Sequence, residues 1–415
     1  MPVTLSSFAR GLSAETAFDV LAVARRLKAQ GKDVIELQIG DSPFASTKSA
    51  VAAGIRAIQD GATHYCPSPG LPSFRETIAR NYQLEFGIAI GPENVVVAAG
   101  AKVFEQFFCE AFLDRGDSVL VFTPHFPTYG PNIERRGALA VFSPLRQANH
   151  FRPDLDDVKR FLKQTPRPRA IFLNSPHNPT GGVATAEDMR GLADLVRGRD
   201  VAVFSDEPYC HMVWEGRHAT PLAQPGMLEQ TVAAYTFSKS YSMSGWRLGY
   251  AIADARIAEA MGKMINTSLS CTPPIVQLAG QAALEYDAPE RDEVMQRFRK
   301  KVELLAAYLR QIEGVKVLKP TATFYVFPDV SAICRRLGIT SHGLAMFLLE
   351  AADDKKGVAC LGGECFGPAG QGFLRFSCAE SDERLHEGVA FLAEAATRTE
   401  AAAKYLGAHP RYRLG

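Results

Sequence analysis

Residues 170–209 read AIFLNSPHNPTGGVATAEDMRGLADLVRGRDVAVFSDEPY and contain a strand, a loop, a helix and a second strand. The apolar runs at 170–173 and 201–204 predict two buried strands. Between them, residues 186–196 have the spacing of an amphipathic helix. Because parallel strands need a long crossover connection, usually a helix, this stretch predicts a parallel pair and an α/β fold.

The same alternation continues on both sides of this stretch. Further strands are predicted at 95–99, 119–122, 138–142, 232–237 and 248–252, and further helices at 103–113 and 155–163. The seven strands together predict a large, mainly parallel sheet with helices on both faces. Ligands bind such sheets outside the carboxyl ends of the strands, so polar residues that follow the strands are candidates for a functional site.

The pattern changes after about residue 284. Helices are predicted at 289–313 and 381–404, and the strands of a smaller sheet at 315–318, 324–327, 358–361 and 373–378. We therefore expect two domains. Residues 46–285 would form a large α/β domain around the seven-stranded sheet, and residues 1–45 and 286–415 would form a smaller α+β domain.

The composition narrows the classes of function. Apolar residues make up 47% of the 415 residues, and the formal net charge of +1 gives no electrostatic basis for binding nucleic acid or an anionic membrane. We expect neither a signal peptide nor a membrane span, because the longest uncharged stretch, 264–284, contains two adjacent prolines. Eight cysteines without a CxxC pair predict free thiols, no metal site and a cytoplasmic protein.

Polar residues follow two of the predicted strands. Asp206 lies just past the strand at 201–204, where an ionised carboxylate needs a cationic or protonated partner; the alternative is a helix N-cap. The string NSPHNPTGG at 174–182 follows another strand, and its prolines and glycines predict a rigid loop. Such a loop can hold the Asn178 amide toward a ligand oxygen, although a plain turn is the alternative.

The string TFSKSYSMSGWRLGY at 236–250 offers an amine and an anion-binding group. Lys239 follows a predicted strand, so it is either a nucleophilic amine beside a cleft or a solvated lysine at the strand end. Hydroxyls of Thr236 and Ser238, together with the Arg247 guanidinium, resemble a phosphate-binding site.

A third candidate is the turn Gly100-Ala101-Lys102, which joins the strand at 95–99 to the next helix. Small residues in such a turn let backbone N–H groups approach an anion at the helix N-terminus. The chain has neither GxxxxGK[ST] nor GxGxxG, so nucleotide and dinucleotide binding are not supported.

In their order along the chain, these strings resemble those of the fold-type I, pyridoxal-phosphate-dependent class I/II aminotransferases, the group of aspartate aminotransferase. The resemblance extends from residue 18 to about 392. It also includes GKDVIELQIGDSPF, HYCPSPGLPSFRETIA, PHFPTY and the late RFS at 375–377. It implies an enzyme that moves an amino group between an L-amino acid and a 2-oxo acid, with 2-oxoglutarate as one partner, by a ping-pong Schiff-base mechanism.

The resemblance also implies roles for residues. Lys239 would bind pyridoxal 5'-phosphate covalently and move protons, Asp206 would pair with the pyridinium nitrogen, and Tyr209 and Asn178 would contact the phenolic oxygen. The implied phosphate site consists of Gly100, Ala101, Lys102, Thr236, Ser238 and Arg247. The implied ring-stacking residue is Phe126, and the implied substrate contacts are Arg375, which would clamp the α-carboxylate, Asn178 and Gly40.

A homodimer with shared active sites is implied as well. Tyr65, in the uncharged proline-rich segment 64–70, would reach across the interface to the phosphate of the neighbouring subunit's cofactor. The alternative is a buried turn within one subunit. By the same resemblance, the Thr123–Pro124 and Asn178–Pro179 peptide bonds are expected to be cis.

The amino donor stays open at this point. In relatives specific for aspartate, a lysine at the position of Lys102 reads the distal carboxylate together with an N-terminal threonine. Here that N-terminal match falls among Glu15, Thr16 and Ala17. A glutamate facing the side-chain pocket would repel an acidic substrate, which argues against aspartate specificity.

Two other functions share these strings. A carbon–sulfur β-lyase or a cyclopropane-forming synthase of the same fold would use the same lysine, aspartate and arginines, so motifs do not separate them from a transaminase. A ligand-sensing regulator with an aminotransferase-like domain would carry an added DNA-binding domain. Only about 30 residues precede the first shared string, GKDVIELQIGDSPF, and the net charge is +1, which disfavours the regulator.

Overall fold

A computed structural model of the chain describes residues 3–12 and 15–415. The strands are β1 (Asp33–Glu36), β2 (Val95–Ala98), β3 (Ser118–Thr123), β4 (Leu139–Pro144), β5 (Pro168–Asn174), β6 (Ala202–Asp206), β7 (Thr231–Thr236), β8 (Gly249–Ile252), β9 (Tyr325–Val326), β10 (Lys356–Ala359), β11 (Leu361–Gly362) and β12 (Leu374–Ser377).

The α-helices alternate with these strands in the first two thirds of the chain and dominate the last third. They are α1 (Ser7–Gly11), α2 (Thr16–Ala29), α3 (Lys48–Gln59), α4 (Pro72–Phe86), α5 (Lys102–Phe112), α6 (Tyr129–Arg135), α7 (Leu155–Gln164), α8 (Ala186–Val196), α9 (Phe237–Ser240), α10 (Ala255–Leu269), α11 (Pro274–Tyr286), α12 (Ala288–Leu309), α13 (Ser331–Leu337), α14 (Ser341–Glu350), α15 (Asp382–Ala395) and α16 (Thr399–Ala408).

Seven strands form the large sheet in the order β2-β8-β7-β6-β5-β3-β4. β8 runs antiparallel to both of its neighbours, and all other pairs are parallel. The predicted α/β class with a mainly parallel seven-stranded sheet is confirmed. Side chains alternate across this sheet: in β6, Ala202 and Phe204 pack into the core on one face, and Val203 packs into the core on the other.

The register of the parallel strands brings the predicted site residues to one edge of the sheet. Asn174, the last residue of β5, lies beside Asp206, the last residue of β6. Asp206 in turn lies beside Ala234 of β7, two residues before that strand ends at Thr236. The loops that carry Asn178 and Lys239 therefore begin side by side, as expected for the carboxyl ends of parallel strands.

The remaining strands form two small sheets instead of the single smaller sheet predicted. β1 pairs in parallel with β10, and β9, β11 and β12 form an antiparallel sheet in the order β11-β12-β9. The pairing of β1 with β10 ties the N-terminal segment to the last third of the chain. This pairing supports the proposed small domain, whose boundaries stay a prediction.

Two expectations for the last third are wrong in detail. Residues 315–318 form no strand, because Lys316 pairs with Asp329 only through an isolated bridge. The terminal helix is interrupted between α15 and α16, where the N–H and the hydroxyl of Thr397 both donate to the Glu394 carbonyl, three residues back instead of the four of an α-helix.

Several smaller expectations also have outcomes. The Thr123–Pro124 and Asn178–Pro179 peptide bonds are cis, as predicted, and Ser175–Pro176 is cis as well. All eight cysteines are free. Among the helices of the described residues, none is both long enough and apolar enough to pass through a bilayer.

Candidate active site

A cavity of about 480 Å³ lies at the carboxyl ends of the large sheet's strands and collects most of the predicted site residues. The predicted residues that line it are Gly40, Ala101, Lys102, Phe126, Asn178, Asp206, Tyr209, Thr236, Ser238, Lys239, Arg247 and Arg375. It also contains residues that the sequence did not single out for the site, among them Phe18, Ile39, Glu105, Asn174 and Tyr325.

Lys239 presents its amine to the centre of this cavity. Thr236 ends β7 and caps the short helix α9, because its side chain accepts a hydrogen bond from the Ser238 N–H. Lys239 lies in that helix, and its Nζ donates to the Gly40 carbonyl and lies 5.6 Å from the centroid of the Phe324 ring. Among the described residues, no carboxylate forms a salt bridge with this amine, so it remains available for a ligand.

Gly40 is positioned by close packing. A Cβ atom at this residue would overlap the hydroxyl of Tyr325, so only glycine lets the chain pass here. Its carbonyl therefore faces the Lys239 amine from across the cavity.

Asp206 is a buried carboxylate at the end of β6. Its Oδ2 accepts a hydrogen bond of 2.6 Å from the Tyr129 hydroxyl. Burial raises the pKa of Asp206 to about 6; the hydrogen bond from Tyr129 opposes the increase, and the neighbouring Glu207 carboxylate adds to it. The structure therefore places at the cavity wall an acid that would gain from a cationic partner.

Arg375 is a buried cation. It belongs to β12 and is only 4% exposed. One guanidinium nitrogen donates to Asn178 Oδ1 at 3.0 Å, and another donates to the Gln38 carbonyl. The Nε is buried without a hydrogen-bond partner among the described residues, and the guanidinium lies 4.4 Å from the Tyr325 ring centroid. A buried guanidinium that meets only neutral acceptors is suited to an anionic ligand.

Asn178 is held in place by its own loop. Its backbone N–H donates to the side-chain oxygen of Asn174 at 2.8 Å, and the Asn174 amide donates to the backbone carbonyl of Asp206 at the same distance. The two asparagines thereby connect the loop after β5 to the end of β6. The Asn178 side chain is then free to contact Arg375 and the cavity.

Arg247 faces the start of helix α5. Its guanidinium donates to the carbonyls of Ser244 at 2.9 Å and Ala99 at 3.2 Å. Gly100 has φ +91°, and a Cβ there would lie 2.7 Å from an Arg247 nitrogen. Glycine is thus required both by the backbone angle and by the close approach of the arginine.

Two hydroxyls lie close together on the same side of the cavity. The Thr236 hydroxyl donates to the Ser238 hydroxyl at 2.9 Å. Together with Arg247 and the turn of Gly100 and Ala101, they form the polar end of the cavity, where an oxyanion such as a phosphate group can accept several hydrogen bonds.

Lys102 carries the first charge of α5 and forms an ion pair with Glu15. Its ammonium also lies 5.1 Å from the centroid of the Phe126 ring. Of the three candidates in the N-terminal stretch, Glu15 is therefore the residue that meets Lys102. The Lys102 charge thus has a carboxylate partner within its own chain.

Tyr209 and Tyr65 have opposite surroundings. The Tyr209 hydroxyl lies 3.1 Å from that of Tyr325, and burial raises the pKa of Tyr209 well above its usual range. Tyr65 is 88% exposed and is not among the residues that line the cavity of its own chain. Its expected contact with the other subunit's site stays a prediction.

Sequence reasoning gave no role to two residues close to Asp206. Tyr129 belongs to the string PHFPTY, but only the folded chain brings its hydroxyl to the carboxylate. Glu105 lies on the buried face of α5, one turn before Phe108 and Cys109. In the sequence, Glu105 is an acidic residue at a position on the apolar face of a predicted helix, and this unusual placement could have identified it as a candidate.

The arrangement fits the cofactor that the resemblance implies. One cavity contains the amine of Lys239, the buried carboxylate of Asp206, the buried guanidinium of Arg375 and a cluster of oxyanion donors, and none of the first three forms a salt bridge with another described residue. These groups complement, respectively, an aldehyde, a protonated ring nitrogen, a substrate carboxylate and a phosphate. The residues present can therefore hold pyridoxal phosphate together with an amino acid.

Comparison with known proteins agrees with this fit. The family model for aminotransferase class I and II matches residues 32–392. The chain is 34% identical to an aspartate aminotransferase of Pyrococcus horikoshii, over 86% of this chain and 89% of that protein. It is 32% identical to an arginine–pyruvate transaminase of Pseudomonas aeruginosa, over 89% of this chain and 92% of that one.

Solved structures show the same fold. An aspartate aminotransferase of Thermus thermophilus with maleate superimposes with a TM-score of 0.88 at 31% identity. The match covers 95% of this chain and 100% of that chain.

Proposed function

Because the chain belongs to the aminotransferase class I and II family and is a pyridoxal-phosphate-dependent transaminase, we propose that the cavity around Lys239 is its active site. The observation that carries the proposal is that one cavity is lined by the Lys239 amine, the Asp206 carboxylate and the Arg375 guanidinium, which forms no salt bridge with a described residue. The substrates are an L-amino acid and a 2-oxo acid, with 2-oxoglutarate as one partner.

Pyridoxal phosphate, when bound, supplies the electron sink that makes the substrate's Cα–H bond acidic. Asp206 then holds the proton on the ring nitrogen, which maintains the sink. Lys239 would take the proton from the substrate Cα as general base and, as general acid, deliver it to the C4′ carbon of the cofactor. The hydrogen bond from the Lys239 amine to the Gly40 carbonyl places the amine inside the cavity where this transfer would occur.

Arg375 binds the α-carboxylate of either substrate. A guanidinium presents paired donors to a carboxylate, and burial excludes the water that would compete. Asn178 orients the guanidinium through its 3.0 Å hydrogen bond. Correct placement of the α-carboxylate aims the Cα–H bond at the lysine.

The Glu15–Lys102 ion pair determines which substrate side chains the pocket binds. While the pair is closed, the pocket offers no free cation from Lys102, which suits donors with uncharged side chains. The distal carboxylate of 2-oxoglutarate takes the place of the Glu15 carboxylate on Lys102. The Lys102 side chain is 45% exposed, so the ammonium is accessible to an incoming carboxylate, whereas the Glu15 side chain is only 16% exposed.

The proposal includes a homodimer that acts in the cytoplasm. Helix α3 exposes Val51, Ile55 and Ile58, which lie on one face at helical spacing, and Tyr65 is exposed nearby in the sequence. Apolar side chains in such a row favour burial against a second copy of the chain. The eight free cysteines support a reducing compartment.

The experiment combines a substrate panel with a lysine variant. Purified protein with pyridoxal phosphate is offered a range of L-amino acids against 2-oxoglutarate and pyruvate, and the 2-oxo acid formed from each donor is measured. We expect transfer to 2-oxoglutarate and higher rates with uncharged donors than with aspartate. In Lys239→Ala the rate falls by about 10²–10⁴ or more, since acid–base catalysis and the covalent link are both lost.

Borohydride reduction followed by peptide mapping identifies the lysine that holds the cofactor, which we expect to be Lys239. Lys159→Ala serves as the control, because that exposed lysine pairs with Asp156 on α7, away from the cavity. Normal turnover in Lys239→Ala, or cofactor fixed to another lysine, would contradict the assignment of the site.

A further inference from the structure

Glu105 is an acidic residue in the cavity wall that has no role in the proposed reaction. Its residue is 2% exposed and lies on α5, one turn beyond Lys102. It lines the same cavity as Asp206. A buried glutamate costs free energy unless its charge is compensated or absent, so its presence calls for a physical reason.

The contacts of Glu105 lead to Asp206 through helix α6. Glu105 Oε2 accepts a hydrogen bond of 2.5 Å from the Thr128 hydroxyl and a longer one of 3.4 Å from the Asn132 amide. The next residue, Tyr129, donates from its hydroxyl to Asp206 at 2.6 Å. Two consecutive residues at the start of α6 are thus each held by a different buried carboxyl group.

The charges around Glu105 favour its neutral form. Asp206 faces it from β6, and Tyr129 faces it from α6 as a neutral phenol. Lys102 lies one turn away on its own helix but is paired with Glu15 from the N-terminal segment. Burial is the largest cause that raises the pKa of Glu105 well above its usual range, and the Asp206 charge raises it further.

We propose that Glu105 is a positioning residue for Asp206: it holds Thr128, and so Tyr129, in place, and as an uncharged acid it leaves Asp206 as the anion that faces the cofactor ring. This inference rests on the proposed function, since it assumes that Asp206 meets the ring nitrogen. A neutral Glu105 avoids two like charges in one buried pocket. Its oxygen still accepts the hydrogen bond from Thr128.

The first test uses the absorbance of bound pyridoxal phosphate as a function of pH. Glu105→Leu and Thr128→Val each remove the hydrogen bond from the Thr128 hydroxyl to Glu105. We expect each variant to shift the pH midpoint of the cofactor's absorbance change in the same direction as Tyr129→Phe shifts it, but by a smaller amount. The double variant is expected to shift it no further than either single one, because both changes break one link. Glu105→Gln keeps an acceptor without charge and is expected to stay close to the wild-type midpoint.

The second test measures unfolding of the cofactor-free protein from pH 5 to 9. The pKa of Glu105 is higher in the folded protein than its unfolded value near 4.5. The contribution of neutral Glu105 to the free energy of unfolding is therefore complete below pH 4.5 and is lost as the pH rises through the folded-state pKa. Glu105→Gln removes this loss, so its stability relative to wild type is expected to grow with pH. Glu110→Gln, on the same helix and half-buried, is the matched control and is expected to follow wild type.

The outcomes separate this inference from the proposed function. If Asp206→Asn changes the cofactor absorbance while Glu105→Leu and Thr128→Val leave the midpoint unchanged, the site stands and the role of Glu105 is refuted. Parallel stability curves for wild type and Glu105→Gln would also refute it. If Asp206→Asn leaves the absorbance unchanged, the proposed function itself fails.

Discussion

At the scale of single residues, the hydrogen bond between Tyr129 and Asp206 affects the charge of the carboxylate on which the proposed reaction depends. The phenol is buried, and burial raises its pKa well above the usual range, so it remains a proton donor at every working pH. Its 2.6 Å hydrogen bond stabilises the ionised form of Asp206 against the opposing effect of burial. Removing the donor therefore raises the pKa of Asp206 further.

We predict that Tyr129→Phe moves the acidic limb of the pH profile of kcat/KM upward. The ionised carboxylate is the active form, and a higher pKa means that it is lost at a higher pH. A hydrogen bond to a charged group contributes about 1.5–3 kcal/mol, which corresponds to a shift of roughly one to two pH units. Tyr250→Phe, a buried tyrosine outside the cavity, is the control. An unmoved acidic limb in Tyr129→Phe would mean that Asp206 does not depend on this donor.

The sequence predicts some of these residues better than others. Lys239 and Arg375 lie in strings whose order along the chain is specific, and the structure brings both to one cavity. Tyr129 and Glu105 carry no such signal, because their roles arise from contacts between α5, α6 and the end of β6. Contacts of that kind depend on tertiary packing, which local patterns do not encode.

At the scale of elements, the starts of two helices meet at the substrate end of the cavity. Glu15 is the N-cap residue of α2, and Lys102 is the first residue of α5. The Glu15 side chain makes no capping hydrogen bond, so its carboxylate is free to pair with the lysine. The ion pair joins the N-terminal segment to the large sheet's helix across the cavity.

We predict that Glu15→Gln lowers the KM for 2-oxoglutarate. The amide does not compete for Lys102 as strongly as the carboxylate does, so the distal carboxylate of the substrate meets a freer cation. The Lys102 side chain is 45% exposed and that of Glu15 is 16% exposed. An ion pair with an exposed member contributes about 0.2–1 kcal/mol, so the expected decrease is about fivefold. Rates with uncharged donors are expected to change little.

The control for this prediction is Asp19→Asn, which removes an exposed acid from the first turn of the same helix. It separates the local contact from a general change of charge. A KM for 2-oxoglutarate that is equal in Glu15→Gln and wild type would show that Glu15 does not compete with the distal carboxylate for Lys102.

Elements were predictable where they are long or fully buried. The seven strands of the large sheet each contain an apolar run, and each was expected within a few residues of its bounds. β1 was missed because its four residues contain only two apolar side chains, and it exists through pairing with β10. The run at 315–318 has the composition of a strand but no ladder partner beyond the bridge at Lys316.

At the scale of the whole molecule, one surface of the chain exposes a row of apolar side chains, which the proposed homodimer would cover. Val51, Ile55 and Ile58 are 37%, 54% and 57% exposed on α3, and Tyr65 is 88% exposed shortly after that helix. An exposed tyrosine beside an apolar stripe has the long arm and the single donor needed to reach a phosphate in a neighbouring subunit. Twofold symmetry would place one such arm at each of two sites.

We predict that hybrid dimers reveal this exchange. Tyr65→Phe alone is expected to weaken cofactor binding by about tenfold to a hundredfold, because a hydrogen bond to a charged group is lost. In a hybrid of Tyr65→Phe with Lys239→Ala, a cross-subunit arm gives one site with both wild-type residues and one with both lesions. Doubly tagged hybrids are therefore expected to show half of the wild-type number of active sites at low cofactor concentration.

The alternative, in which Tyr65 contacts the site of its own chain, predicts a different result for the hybrids. If Tyr65 served the site of its own chain, each hybrid would hold one Tyr65→Phe site and one Lys239→Ala site, and no wild-type site would form. Tyr286→Phe, another exposed tyrosine, is the matched control and is expected to leave cofactor binding unchanged. A fully active monomer would exclude shared sites, because Tyr65 would then have no second subunit to contact. Hybrids that contain no site of wild-type cofactor affinity would exclude them as well.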